Sequence, residues 1–132
     1  MGLDQTVTFS SGTGPSWPAV RDLLARQEYP VQVRMIDGEL AFPEEEPPDS
    51  WRELRLGTPS GMVTVRRAAA QVVLVIWGNA EEPLLQAWNG LAWAFAEAGG
   101  GRVLSPSGPQ TAHEFRQSAN FPPSLRPGQE TA

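Results

Sequence analysis

The chain contains no cysteine. Neither a disulfide framework nor a thiolate nucleophile is available to it, and the composition fits a reducing, cytoplasmic setting. Lysine is missing too: all ten cations are arginine, scattered from Arg21 to Arg126 rather than gathered in one stretch. Against 15 carboxylates they leave a formal charge of −5. That balance argues against nucleic acid, whose binders carry a clustered basic face, and favours a basic protein partner. Histidine occurs once, at His113. A Ser-His-Asp device or most zinc sites would have to be built round that single imidazole, and its neighbours Glu114 and Arg116 read as an ordinary helix surface. No Asp-rich calcium loop is present, so no metal and no cofactor is expected.

Long apolar runs are also absent, so no membrane-spanning segment and no membrane partner are expected. The first residues, Met1-Gly2-Leu3-Asp4-Gln5, lack the basic and apolar regions of a secretory signal. Gly2 with Thr6 matches the loose myristoylation pattern, yet no basic patch stands nearby to hold a singly acylated chain on a membrane.

What is present fits one domain of 132 residues with a single core. Proline is concentrated in a few loops and in the last 30 residues. The chain therefore divides into a single α+β body over 1–120 and a mobile, Pro-rich tail over 121–132. Asp37-Gly38, between alternating apolar runs, predicts a two-residue hairpin turn, because both central positions need positive φ. Closing it pairs Ile36 with Glu39, Met35 with Leu40 and Val33 with Phe42, and gathers Val31, Val33, Met35, Leu40 and Phe42 into one apolar patch. A second hairpin turns through Thr58-Pro59-Ser60-Gly61 and sets Leu56 against Val63 and Leu54 against Val65. The unbroken run Val72–Trp77 predicts a central strand buried on both faces or covered by a second layer.

Two helices are expected. Ser16 caps the first, with Pro18 in its first turn and Trp17, Val20, Leu23 and Leu24 on one stripe, and Tyr29-Pro30 ends it. Asn79-Ala80-Glu81-Glu82 predicts a capping box opening the second, whose core stripe is Leu84, Trp88, Leu91 and Phe95, and Gly99-Gly100-Gly101 stops it. Gly90, in mid-helix, calls for the close approach of a backbone or a bulky side chain. Val103-Leu104 adds an edge strand, and Thr111-Ala112-His113-Glu114 caps a short final helix carrying Phe115. The predicted fold is α+β: a mainly antiparallel sheet of five to six strands in the order β-α-β-β-β-β-β-α, with two principal helices packed on it.

Three features point outward. Glu44, Glu45, Glu46 and Asp49, flanked by prolines, read either as a solvated loop or as a stiffened acidic prong for a basic surface. Trp93 lies opposite the core stripe of the second helix. It must be covered by the segment carrying Phe115 and Phe121, or else serve as a partner-binding or dimer-forming anchor. Trp51, beside the acidic loop, could do either, whereas Trp17, Trp77 and Trp88 suit the core. The loop of Ser11, Gly12, Thr13, Gly14, Pro15 and Ser16 joins a strand to a helix N-terminus, where an anion can bind. Neither the P-loop nor the dinucleotide pattern is met there. These residues favour a small non-catalytic protein that binds another protein, or a second copy of itself, through the acidic loop, Trp51, Trp93 or an open sheet edge. Immunity-type neutralisers of toxins belong to that class by analogy. The alternative is a domain that binds a small anionic ligand at the Ser11–Ser16 loop, with or without chemistry.

Overall fold

The structure, a computed structural model, describes residues 2–10, 12, 14–42, 44–105 and 108–126. Asp37 and Gly38 take φ of 50° and 88°, the geometry of a primed hairpin turn. They join β2 (Gln32–Ile36) to β3 (Glu39–Leu40), with Ile36 opposite Glu39 and Met35 opposite Leu40, as expected. The apolar patch predicted from that register does not form. On its other side β2 pairs with β4 (Glu53–Thr58), where Val33 faces Leu56 but Met35 faces Arg55, so the register slips by one residue at Arg34. Because strand side chains alternate, that bulge turns Met35 and its partner Leu40 away from Val33. Val31 and Val33 are buried, while Leu40 and Phe42 stand in solvent.

The second hairpin forms as predicted: β4 turns into β5 (Gly61–Ala68), with Leu56 opposite Val63 and Leu54 opposite Val65. A third hairpin through Ala69-Ala70 leads into β6 (Gln71–Trp77). The first strand, β1 (Gly2–Thr8), lies antiparallel beside β6 and carries β7 (Arg102–Ser105) on its other side, followed by β8 (Gly108–Thr111). The described residues thus form one antiparallel sheet of eight strands, in the order β3-β2-β4-β5-β6-β1-β7-β8. The expected edge strand at Val103-Leu104 lies inside it, because Gly108–Thr111 adds a further strand.

All helices cover one sheet face. In α1 (Trp17–Arg26) the Ser16 hydroxyl accepts the Ala19 N–H, and the helix stops as Glu28 turns to a φ of 60°, just ahead of Tyr29-Pro30. The longest helix, α2 (Glu82–Gly99), starts later than predicted: Glu81 is its N-cap, and the box at Asn79 does not form. Starting from Asn79 would put Pro83 at the fourth helical position, whose N–H must make the first intrahelical bond. Starting from Glu81 puts it where no donor is needed. At the far end Gly100, with a φ of 64°, donates its N–H to the Ala96 carbonyl. The short α3 (Ala112–Ser118) is capped where expected, and the cap is a full box, Thr111 and Glu114 bonding each other's backbone N–H groups.

Val33, Leu54, Leu56, Val63, Val65, Val72, Leu74 and Ile76 fill the core beneath these helices. The opposite face of the sheet carries no layer among the described residues. Val73 and Val75 are half-buried and Trp77 is 73% exposed. Of the two alternatives for β6, a central strand covered by a second layer on one face is what forms; burial on both faces, with Trp77 in the core, is corrected. Tight hairpins keep the alternation in phase from strand to strand, so one side of β6 meets the helices and the other meets water.

The expected tail is also corrected. Phe121 and Leu125 are buried, the latter in a 3-10 turn at Pro123–Leu125. Residues 121–126 therefore belong to the folded body, and 127–132 lie outside the described residues. Composition suggested otherwise because prolines surround two apolar side chains that have a prepared seat on α2.

Candidate interaction surfaces

In the sheet, β2 lies between β3 and β4, so the connection from β3 to β4 must pass round the end of β2. That connection is the acidic loop, and both of its ends are pinned. Close to β3, the Glu45 carboxylate accepts the Phe42 N–H at 3.1 Å and the Phe42 carbonyl accepts the Glu45 N–H at 2.9 Å. Close to β4, Pro47 is buried and Trp51 is 2% exposed. The Arg67 guanidinium lies 4.2 Å over the Trp51 ring. It also donates to the Trp51 carbonyl at 2.9 Å and to the Asp49 carbonyl. The planar fork of arginine suits this double role of stacking and bridging carbonyls.

Asp37 fastens the same end. Its carboxylate accepts the backbone N–H groups of Arg52 at 2.8 Å and Glu53 at 2.9 Å. These donors, Glu53 first and then Arg52, hold the Asp37 carboxyl below the usual aspartate range. Glu44, Glu45, Glu46 and Asp49 are left exposed on an anchored base. Among them Glu46 meets Arg21 of α1 at 3.4 Å, a surface pair of small energetic weight.

Beside these carboxylates stand Leu40, 87% exposed, and Phe42, 79% exposed. Sequence reasoning assigned both to the core and so missed them. The strand ends at Leu40, two residues short of Phe42, and neither that early end nor the slip at Arg34 that turns Leu40 outward is written in any turn motif.

Trp51 and Trp93 are removed from the accessible surface. Trp93, 3% exposed, lies beneath Phe121 at a ring separation of 6.5 Å, with the Arg116 guanidinium 4.6 Å over its ring. Phe115 stacks edge-on against Phe121 at 5.7 Å and completes the cover. Neither indole is presented to a partner, so both are corrected as contact candidates.

Of the anion-site candidates, Ser11 and Thr13 lie outside the described residues. Gly12 is exposed, and Gly14 packs on Phe9, where a Cβ would come within 2.9 Å of the ring. At the start of α1 the donors are largely spent: Pro18 has none, Ala19 bonds the Ser16 hydroxyl, and Val20 bonds the Ser16 carbonyl at 3.4 Å. Tertiary folding does bring Gly14 and Ser16 against Asp49, Trp51, Arg52 and Arg67 round a cleft of about 530 Å³. In that cleft the Arg67 guanidinium already serves the loop carbonyls.

His113 is exposed on α3. Among the described residues no group of three or more potential metal ligands converges, no charged side chain is buried, and no helix is long and apolar enough to cross a membrane. No family model, curated protein or solved structure matches the chain.

Proposed function

We propose that this chain is a small, cytoplasmic, non-catalytic module that binds another protein through its acidic loop and the adjoining Leu40 and Phe42. The observation that carries the reading is the pairing of two large apolar side chains, 87% and 79% exposed, with Glu44, Glu45 and Glu46 on a pinned loop. Exposed aromatic and aliphatic anchors beside charges of one sign are the ingredients of a docking site: the anchors supply affinity, and the charges steer and select. The sign selects a basic partner surface. Neutralisers of basic proteins are one class assembled from such parts, by analogy of class alone.

The test is capture from the native host, identification of the bound protein by mass spectrometry, and reconstitution with that protein purified. Leu40→Ser with Phe42→Ser, and separately Glu44, Glu45 and Glu46→Gln, should each weaken the reconstituted complex. A complex that survives both sets unchanged would remove the loop from the interface.

A further inference from the structure

The uncovered sheet face has a chemistry that the sequence conceals. Directly paired residues share a face, so the registers trace one row across six strands: Leu40, Met35, Arg55, Thr64, Val75, Asp4. A neighbouring row adds Glu53, Arg66, Val73 and Thr6. Arg102 joins through its pairing with Thr8. Arg34, the bulged residue, folds over Gly57, where an added Cβ would lie 2.8 Å from its Nε. Four of the ten arginines, on β2, β4, β5 and β7, therefore lie on one face with the carboxylates of Asp4 and Glu53, in a chain whose net charge is −5. Most of the negative charge lies on loops and helices.

The middle of this face is a shallow cleft of about 360 Å³, lined by Arg55, Met62, Thr64, Arg66, Val75 and Trp77. Arg66 is paired with Glu53 at 3.0 Å. Arg55 meets no carboxylate among the described residues, and its side-chain contact is the Met35 sulfur at 4.0 Å. Trp77 and Met62 stand exposed beside it.

We infer that this face is a second interaction surface, built to take a protein segment that carries carboxylates next to apolar side chains. An unpaired guanidinium between exposed apolar groups satisfies a carboxylate and an aliphatic or aromatic neighbour together. A second copy of this chain is the poorer occupant, because stacking two such faces opposes arginine to arginine. Single-stranded nucleic acid is poorer too: Trp77 is the one aromatic ring lining this cleft rather than part of a stacking platform, and acidic groups interrupt the cations. The surface is opposite in sign to the acidic loop; it adjoins the Leu40–Phe42 patch at Arg34, but the cleft at Arg55 and Trp77 contains neither Leu40 nor Phe42, so the chain can engage two unlike partners.

The probe is a set of fluorescein-labelled 12-residue peptides rich in Glu and Leu or Trp, titrated into the full chain by anisotropy. Lys-for-Glu versions, an uncharged version and a single-stranded oligonucleotide serve as comparisons. The acidic–apolar peptides should bind best and weaken as salt rises from about 50 to 200 mM. Arg55→Glu with Arg66→Glu should reduce their affinity at least about tenfold. Circular dichroism and melting should show that these exposed substitutions leave the fold intact. With the Leu peptides, Trp77→Phe should remove the change in intrinsic tryptophan fluorescence on binding, while the acidic-loop variants retain it. Equal binding of the Lys peptides, tighter binding of the oligonucleotide, or a dimer by sedimentation that buries Trp77 would each overturn the inference. None of these results bears on the acidic loop, whose own variants report on the proposed function separately.

Discussion

Leu125 seats its side chain on Gly90 of α2, where a Cβ would lie 2.6 Å from the leucine's Cδ1. The missing side chain in mid-helix, which costs about 1 kcal/mol in helix propensity, is what admits the C-terminal segment to the back of the helix. That segment in turn brings Phe121 over Trp93.

Removing Leu125 should therefore act as a core deletion. Leu125→Ala is expected to destabilise the fold by about 2–5 kcal/mol in urea denaturation. Gly90→Leu should cost about 1–3 kcal/mol by overpacking, despite its better helix propensity. Truncation after residue 120 should make Trp93 accessible to acrylamide quenching. Near-neutral results for both substitutions would mean the segment does not pack there.

The bulge at Arg34 separates residues that the hairpin alone would unite. Leu40→Ser and Phe42→Ser, both on exposed side chains, should change stability by no more than about 0.5 kcal/mol. Leu56→Ala, at the residue paired with buried Val33, should cost about 2–5 kcal/mol. Comparable losses at Leu40 and Leu56 would restore the single patch and refute the slip in register.

Asp37 makes the loop anchor sensitive to acid. The Glu53 and Arg52 N–H groups favour its ionised form, so in the folded protein it protonates below the ordinary value of 3.8. Its stabilising contribution is complete above that value and is lost as pH falls through the lower folded-state pKa. Asp37→Asn keeps a residue tolerant of positive φ while removing the charge. The stability difference between the two proteins, followed by urea denaturation, should be constant from about pH 7 to 5 and close below about pH 4. A difference that persists unchanged to about pH 2 would exclude this origin.

Arg67 ties the other end of the loop. Arg67→Ala should cost about 1.5–3 kcal/mol, the range for hydrogen bonds that involve a charged group. It should also speed hydrogen exchange at Trp51, whose N–H is donated to the Pro48 carbonyl. Arg67→Lys should recover little, since an ammonium cannot stack on Trp51 while bridging two carbonyls. Full recovery by lysine would reduce the residue to a simple positive charge.

Local rules in the chain were enough for much of the architecture. Asp37-Gly38 dictates its turn through positive φ, alternation sets Leu54 and Leu56 against Val65 and Val63, and Ser16 and Thr111 supply side-chain caps. Each depends on residues a few positions apart. The acidic loop was legible for the same reason, because adjacent carboxylates between prolines cannot be buried cheaply. The cover on Trp93 was legible only as one of two alternatives, and the outward set of Leu40 and the placing of four arginines on one face were not legible at all. They depend on a one-residue slip, on a seat vacated at Gly90, and on pairings between strands far apart in sequence. Periodicity tells that a side chain alternates, but only the assembled sheet decides which side the helices occupy and which side faces water.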